Sequence, residues 1–65
     1  MYKKYSELRD KAGFNDLAVA RATGIPQSTI YDWKQRSEKD ESAQISVNHL
    51  AKIAKLFKVK IEVFL

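Results

Sequence analysis

Apolar residues recur at helical spacing in four stretches of this chain and alternate in a fifth. Tyr2, Tyr5, Leu8 and Ala12 lie three and four residues apart, with Lys3, Lys4, Glu7, Arg9 and Asp10 between them, so an amphipathic first helix is expected. Gly13, just past it, is a natural stop. Asn15 reads as the N-cap of a second helix, with Asp16 in its positive first turn and Phe14 placed before the cap as a hydrophobic staple. That helix carries Ala18, Ala20 and Ala22, runs to about Thr23 and ends at Gly24. Pro26 takes a first-turn position of a third helix, where its missing N–H costs nothing. Ile30 and Trp33 mark the buried side of that helix, which lasts to about Arg36.

Ser37 to Ser46 shows no useful periodicity and is expected as a loop. Ser46 can then cap a fourth helix in which Val47, Leu50, Ile53, Ala54 and Phe57 trace one apolar stripe, with His49, Lys52 and Lys55 off it. Residues 59–65 fit two patterns: Val59, Ile61 and Val63 alternate with Lys60 and Glu62 as in a strand, and a short fifth helix is the alternative. Connections this short leave no room for crossover units. The expected fold class is therefore all-α, with residues 59–65 as the one candidate strand.

The second and third helices are separated only by Gly24-Ile25-Pro26, too short a turn to lay them antiparallel. They should cross steeply, as a helix-turn-helix over about residues 15–36. A small residue is needed where the helices touch, and Ala20 supplies it. Gly24 can take the positive φ that the turn needs, and Val19, Ile25, Ile30 and Trp33 fill the wedge.

Composition narrows the function classes. At 65 residues the chain is one domain at most, and it has no cysteine and one histidine. Disulfides, thiolate metal sites and a His-rich site are excluded, no cofactor is implied, and a reducing cytoplasm suits it. No apolar run approaches a membrane span and no signal peptide is evident. The net charge of +4 leans towards an anionic partner, and it is unevenly placed. Residues 1–37 carry net +3, residues 38–42 net −2 and residues 43–65 net +3, so an acidic linker parts two basic segments. Ser28, Asp32 and His49 do not assemble into a triad, since nothing supplies an oxyanion hole or a pocket, and no enzyme is expected.

The stretch Phe14–Lys34, FNDLAVARATGIPQSTIYDWK, resembles the helix-turn-helix of the Cro/cI (XRE) family of phage and bacterial regulators. The likeness extends to Tyr5-Ser6-Glu7-Leu8-Arg9 in the first helix and to Leu50–Phe57 in the fourth, and so covers nearly the whole chain. It implies a single lambda-repressor-like bundle of four to five short helices over residues 1–65, with the third helix in the DNA major groove. It also implies a transcriptional regulator of the phage- or prophage-repressor type. A C2 homodimer on a palindromic operator would bury enough groove for tight binding.

Carried over by position, the base-contacting candidates are Gln27, Ser28 and Asp32, with Tyr31 alongside. The residue pattern agrees, because burying Ile30 and Trp33 leaves Ser28, Tyr31, Asp32 and Gln35 as an outward stripe. Gln27 can pair with adenine N6 and N7, or lie solvated in the first turn. Ser28 can donate to a base or phosphate, or cap the helix locally. Tyr31 can meet a thymine methyl or a phosphate, or lie on the protein surface. Asp32 can accept from cytosine N4, and it can equally pair with Arg36 four residues on. Lys34, Gln35 and Arg36 end the helix where the family touches phosphate, with Lys39 in the following loop a further candidate.

Three features depart from the family. Asp16 stands where glutamine is common, which argues against a phosphate contact by that side chain. The segment 37–46 is longer than usual and carries Glu38, Asp40 and Glu41, which duplex DNA would repel, so it should point away or meet a protein partner. Lys58 and Lys60 replace the usual glycine and cap around the fifth helix. That loss keeps the strand alternative open; residues 59–64 would then either form a dimer contact or, the favoured reading, bury against the core. The rival readings are a domain of this shape turned to protein binding and a non-specific DNA binder with a steep salt dependence.

Overall fold

A computed structural model describes all 65 residues. Four helices, α1 (Tyr2–Lys11), α2 (Asp16–Thr23), α3 (Gln27–Lys39) and α4 (Val47–Phe57), are followed by a 3₁₀ turn at Ile61–Phe64. No strand forms, which settles residues 59–65 against the alternating pattern. The reason lies in Ile61 and Phe64, three residues apart: a 3₁₀ turn eclipses them on one side, and Phe64 is buried against the core. Packed as a strand, Val59, Ile61 and Val63 would share a face and leave Phe64 outside.

Helix boundaries follow the local chemistry. The Asn15 carboxamide oxygen accepts from the Ala18 N–H at 2.8 Å, the expected N-cap of α2. Gly24 closes α2 at φ 77°, and its N–H reaches the Ala20 carbonyl at 2.9 Å. The Thr23 hydroxyl donates to the Val19 carbonyl at 2.7 Å and accepts from the Ile25 N–H at 3.2 Å, so the turn keeps no orphan donor there. Pro26 is the N-cap residue of α3 rather than a member of its first turn. Its carbonyl accepts from the Thr29 and Ile30 N–H groups, the position from which the helix starts.

Four expectations need correction. The segment from Ser37, read as loop, stays helical through Lys39, and only residues 40–46 connect α3 to α4. Backbone hydrogen bonding carries the helix on past its last apolar anchor, and Asp40 stops it at φ −151°, ψ 107°. Val47, assigned to the apolar stripe of α4, is 63% exposed because the first turn of that helix overhangs the core; Ile45, inside the connection, is buried in its place. Ala12 is likewise exposed, being the C-cap of α1 and not part of its buried face. The Ser46 hydroxyl makes no cap, although its carbonyl takes the Leu50 N–H at 2.9 Å.

The ends of α1 and α4 use one motif. Phe14 N–H bonds the Arg9 carbonyl and Gly13 N–H the Asp10 carbonyl; Val59 N–H bonds the Ala54 carbonyl and Lys58 N–H the Lys55 carbonyl. Gly13 holds the left-handed position of the first at φ 77°, whereas the second forces Lys58 to φ 57°. A side chain at such a position costs about 1–2 kcal/mol, offset in part by the greater unfolded-state freedom of glycine. Lys58→Gly is therefore expected to stabilise the fold by about 0.5–1 kcal/mol. An unchanged or lowered urea midpoint would contradict this account.

All eleven buried residues are hydrophobic, and only the Tyr5 hydroxyl and the Trp33 indole N–H bring polar side-chain atoms among them. The helix-turn-helix contributes Val19, Ala20, Ile25, Ile30 and Trp33, as its spacing predicts. Tyr5 meets Trp33 edge-on at 5.7 Å, and Phe14, before the cap of α2, meets Phe57 edge-on at 5.8 Å and so ties the α1–α2 turn to α4.

Candidate nucleic-acid interface

Burial of Ile30 and Trp33 decides what α3 shows to solvent. Gln27, Ser28, Tyr31 and Asp32 are exposed, Tyr31 at 60%. Gln35, expected in the same stripe, is half-buried and lies nearer the core than the others. Lys34, Arg36 and Lys39 are exposed, with Lys39 in the last helical turn and not in a loop. The first turn of α3 has no acidic residue and no side-chain cap, so its open N–H groups and positive dipole end face solvent beside Gln27 and Ser28.

Asp32 and Arg36 form the anticipated pair, with 3.0 Å between Arg36 Nε and Asp32 Oδ2. Lys34 turns towards α1 instead. It lines an open groove of about 570 Å³ with Lys3, Lys4, Glu7, Glu38 and Glu41, where three lysines face three glutamates. The balance of charge makes this groove a poor phosphate seat.

A helix-turn-helix profile matches residues 6–64, from the middle of α1 through the terminal 3₁₀ turn. The chain belongs to the helix-turn-helix family, of the Cro/cI (XRE) type. As a member it is a DNA-binding transcription regulator, in a family of regulatory domains that are not typically enzymatic. No curated protein and no solved structure matches the chain. No helix is long and apolar enough to cross a membrane.

Within this helix-turn-helix domain, Asp16 has a role that its place in the chain conceals. Its Oδ1 accepts from the Tyr5 hydroxyl at 2.7 Å and from Arg9 Nη1 at 2.8 Å. Arg9 Nη1 also reaches the Tyr2 hydroxyl at 3.3 Å, and the guanidinium stands 5.7 Å from the centre of the Tyr5 ring. The carboxylate is thus turned inward, fastening α1 to the start of α2, which explains why an anion is tolerated where the family often has glutamine. No short-range spacing announces this cluster: Arg9 is seven residues and Tyr5 eleven residues from Asp16.

The cluster also fixes protonation. Burial first, and then the hydrogen bond to Asp16, hold the Tyr5 phenol well above its usual range. Burial opposes the Arg9 charge, yet the bonds to Asp16, Asp10 and Tyr2 outweigh it and hold the guanidinium protonated. Because folded Tyr5 stays neutral, its contribution is whole below the ordinary tyrosine value of 10.0 and is lost as pH rises beyond it. The melting temperature is expected to fall above about pH 10, less steeply in Tyr5→Phe. Parallel alkaline profiles for the two proteins would exclude this linkage.

Proposed function

We propose that this domain, residues 1–65, is a sequence-specific reader of double-stranded DNA that represses transcription, of the phage or prophage type, in a bacterial cytoplasm. The observation that carries the reading is the exposed N-terminal half of α3: amide, hydroxyl and phenol groups project from a helix whose opposite side is locked by Ile30 and Trp33. Such a helix fits the major groove, with Gln27, Ser28, Tyr31 and Asp32 toward base edges and Arg36, Lys39, Lys34 and Gln35 toward the backbone. Lys34 is the weakest of the backbone set, given the glutamates around it.

One recognition helix covers little groove, so the domain acts as a homodimer on a palindromic site. Val63 and Leu65 stay exposed beside half-buried Ile61 and supply an apolar contact for a second copy without any strand edge. A protein partner at the turn after α3 is the second reading. It is favoured by Glu38, Asp40 and Glu41, which are exposed and form no ion pair.

Selection from random duplex DNA at about 150 mM salt tests the proposal, because weak non-specific attraction is already much reduced there. An enriched palindrome is expected; no enrichment at all would overturn it. Gln27→Ala should then cost about 1–3 kcal/mol of binding and relax the consensus at a single position. A uniform loss across all sequences would show that Gln27 meets phosphate.

A further inference from the structure

Ser28, Asp32 and Arg36 form one row along α3, each four residues from the next, running from the end that faces bases to the end that faces the backbone. Asp32 in this row is a difficulty for DNA binding, since a lone carboxylate between two phosphate strands is repelled. The geometry of its ion pair removes the difficulty. Arg36 engages it through Nε, to Oδ2 at 3.0 Å. A guanidinium has five N–H donors, so side-on pairing leaves the two terminal nitrogens available. Asp32 Oδ1 likewise keeps its lone pairs. Both side chains are accessible, 62% for Asp32 and 49% for Arg36, so neither needs to leave the other to reach a ligand.

We propose that Asp32 and Arg36 act as one unit on DNA, Asp32 Oδ1 accepting the N4 amine of a cytosine while the terminal nitrogens of Arg36 grip the adjoining phosphate. The assignment rests on the DNA-reading function above and adds the base that this position selects. Cytosine is favoured because its own edge in the major groove offers only a donor. Adenine sets the N7 acceptor beside its amine, and guanine and thymine offer acceptors that a carboxylate repels. Arg36 thus has two tasks: it holds phosphate, and it neutralises the acid without occupying the oxygen that reads the base.

Selection at about 150 mM salt is repeated with Asp32→Asn, Arg36→Met and the double variant, helicity being checked by circular dichroism. The parent should enrich cytosine at one position of each half-site by about tenfold or more. Asp32→Asn should convert that position alone to adenine, whose N6 and N7 suit a carboxamide. Arg36→Met should lose about tenfold in affinity, and adding Asp32→Asn should recover part of that loss, since no unpaired anion then remains. A parent consensus without cytosine at that position, or one unmoved by Asp32→Asn, overturns the assignment and leaves the DNA reading intact. A parent that enriches no sequence overturns both.

Discussion

Replacing Trp33 by alanine is expected to leave the chain predominantly unfolded at 37 °C. Trp33 is 3% exposed, meets Tyr5 edge-on at 5.7 Å and lies 5.6 Å from the His49 ring, so it joins α3 to α1 and α4 at once. Truncating a buried Trp costs about 3–5 kcal/mol, while a domain of this length has about 3–10 kcal/mol in all. With no cysteine in the chain, no disulfide limits the unfolded ensemble. Loss of helical circular dichroism together with loss of the cooperative urea transition is the expected result. Tyr31→Ala, on the same helix but outside the core, should shift the transition by no more than about 0.5 kcal/mol. Equal effects at the two positions would mean that α3 is not anchored by its Trp33 side.

Asp16→Ala carries the second large effect, about 2–3 kcal/mol of stability, because it strips acceptors from the Tyr5 hydroxyl and from Arg9 together. Removing a donor is milder. Tyr5→Phe leaves Asp16 its Arg9 contact and should cost about 1 kcal/mol. The two changes should be clearly non-additive in a double-mutant cycle, since they share one hydrogen bond. Strict additivity would place the Asp16 effect in the helix dipole of α2 rather than in the link to α1.

What could be read from residue order was whatever is local. Asn15 and Gly24 announce the ends of α2 by their chemistry, and the spacing of Val19, Ala20, Ile25, Ile30 and Trp33 marks the helix-turn-helix core. The Asp32–Arg36 pair is legible for the same reason, being four residues apart on one helix. Ser37-Glu38-Lys39 bury nothing large, so no periodicity signals that α3 continues through them. Ile45 lies in the connection as expected, but its burial could not be read from the sequence because it depends on where the chain returns, with its nitrogen 3.2 Å from the Met1 sulfur. The inward turn of Asp16 depends on α1 lying across the start of α2, a tertiary fact that no window of a few residues contains. At the C-terminus the alternation was real and misleading, since one buried aromatic, Phe64, outweighed three exposed or half-exposed aliphatics.

The extra turn of α3 has a practical consequence. At about 1.5 Å per residue, Ser28 and Lys39 stand some 16 Å apart along the helix axis, more than the roughly 12 Å width of a major groove. A helix seated by its first two turns would project its last turn past the bases it reads, with Lys39 at the backbone and the Asp40–Ser42 turn beyond it. Asp40 closes that turn by accepting from the Ser42 N–H and hydroxyl, at 3.0 and 2.7 Å, so the projecting end has an ordered tip. Since the chain has no cysteine, Glu41→Cys would place its single thiol there. A dye on that thiol, paired with one on the end of a short duplex, becomes a ruler for the angle at which the helix docks.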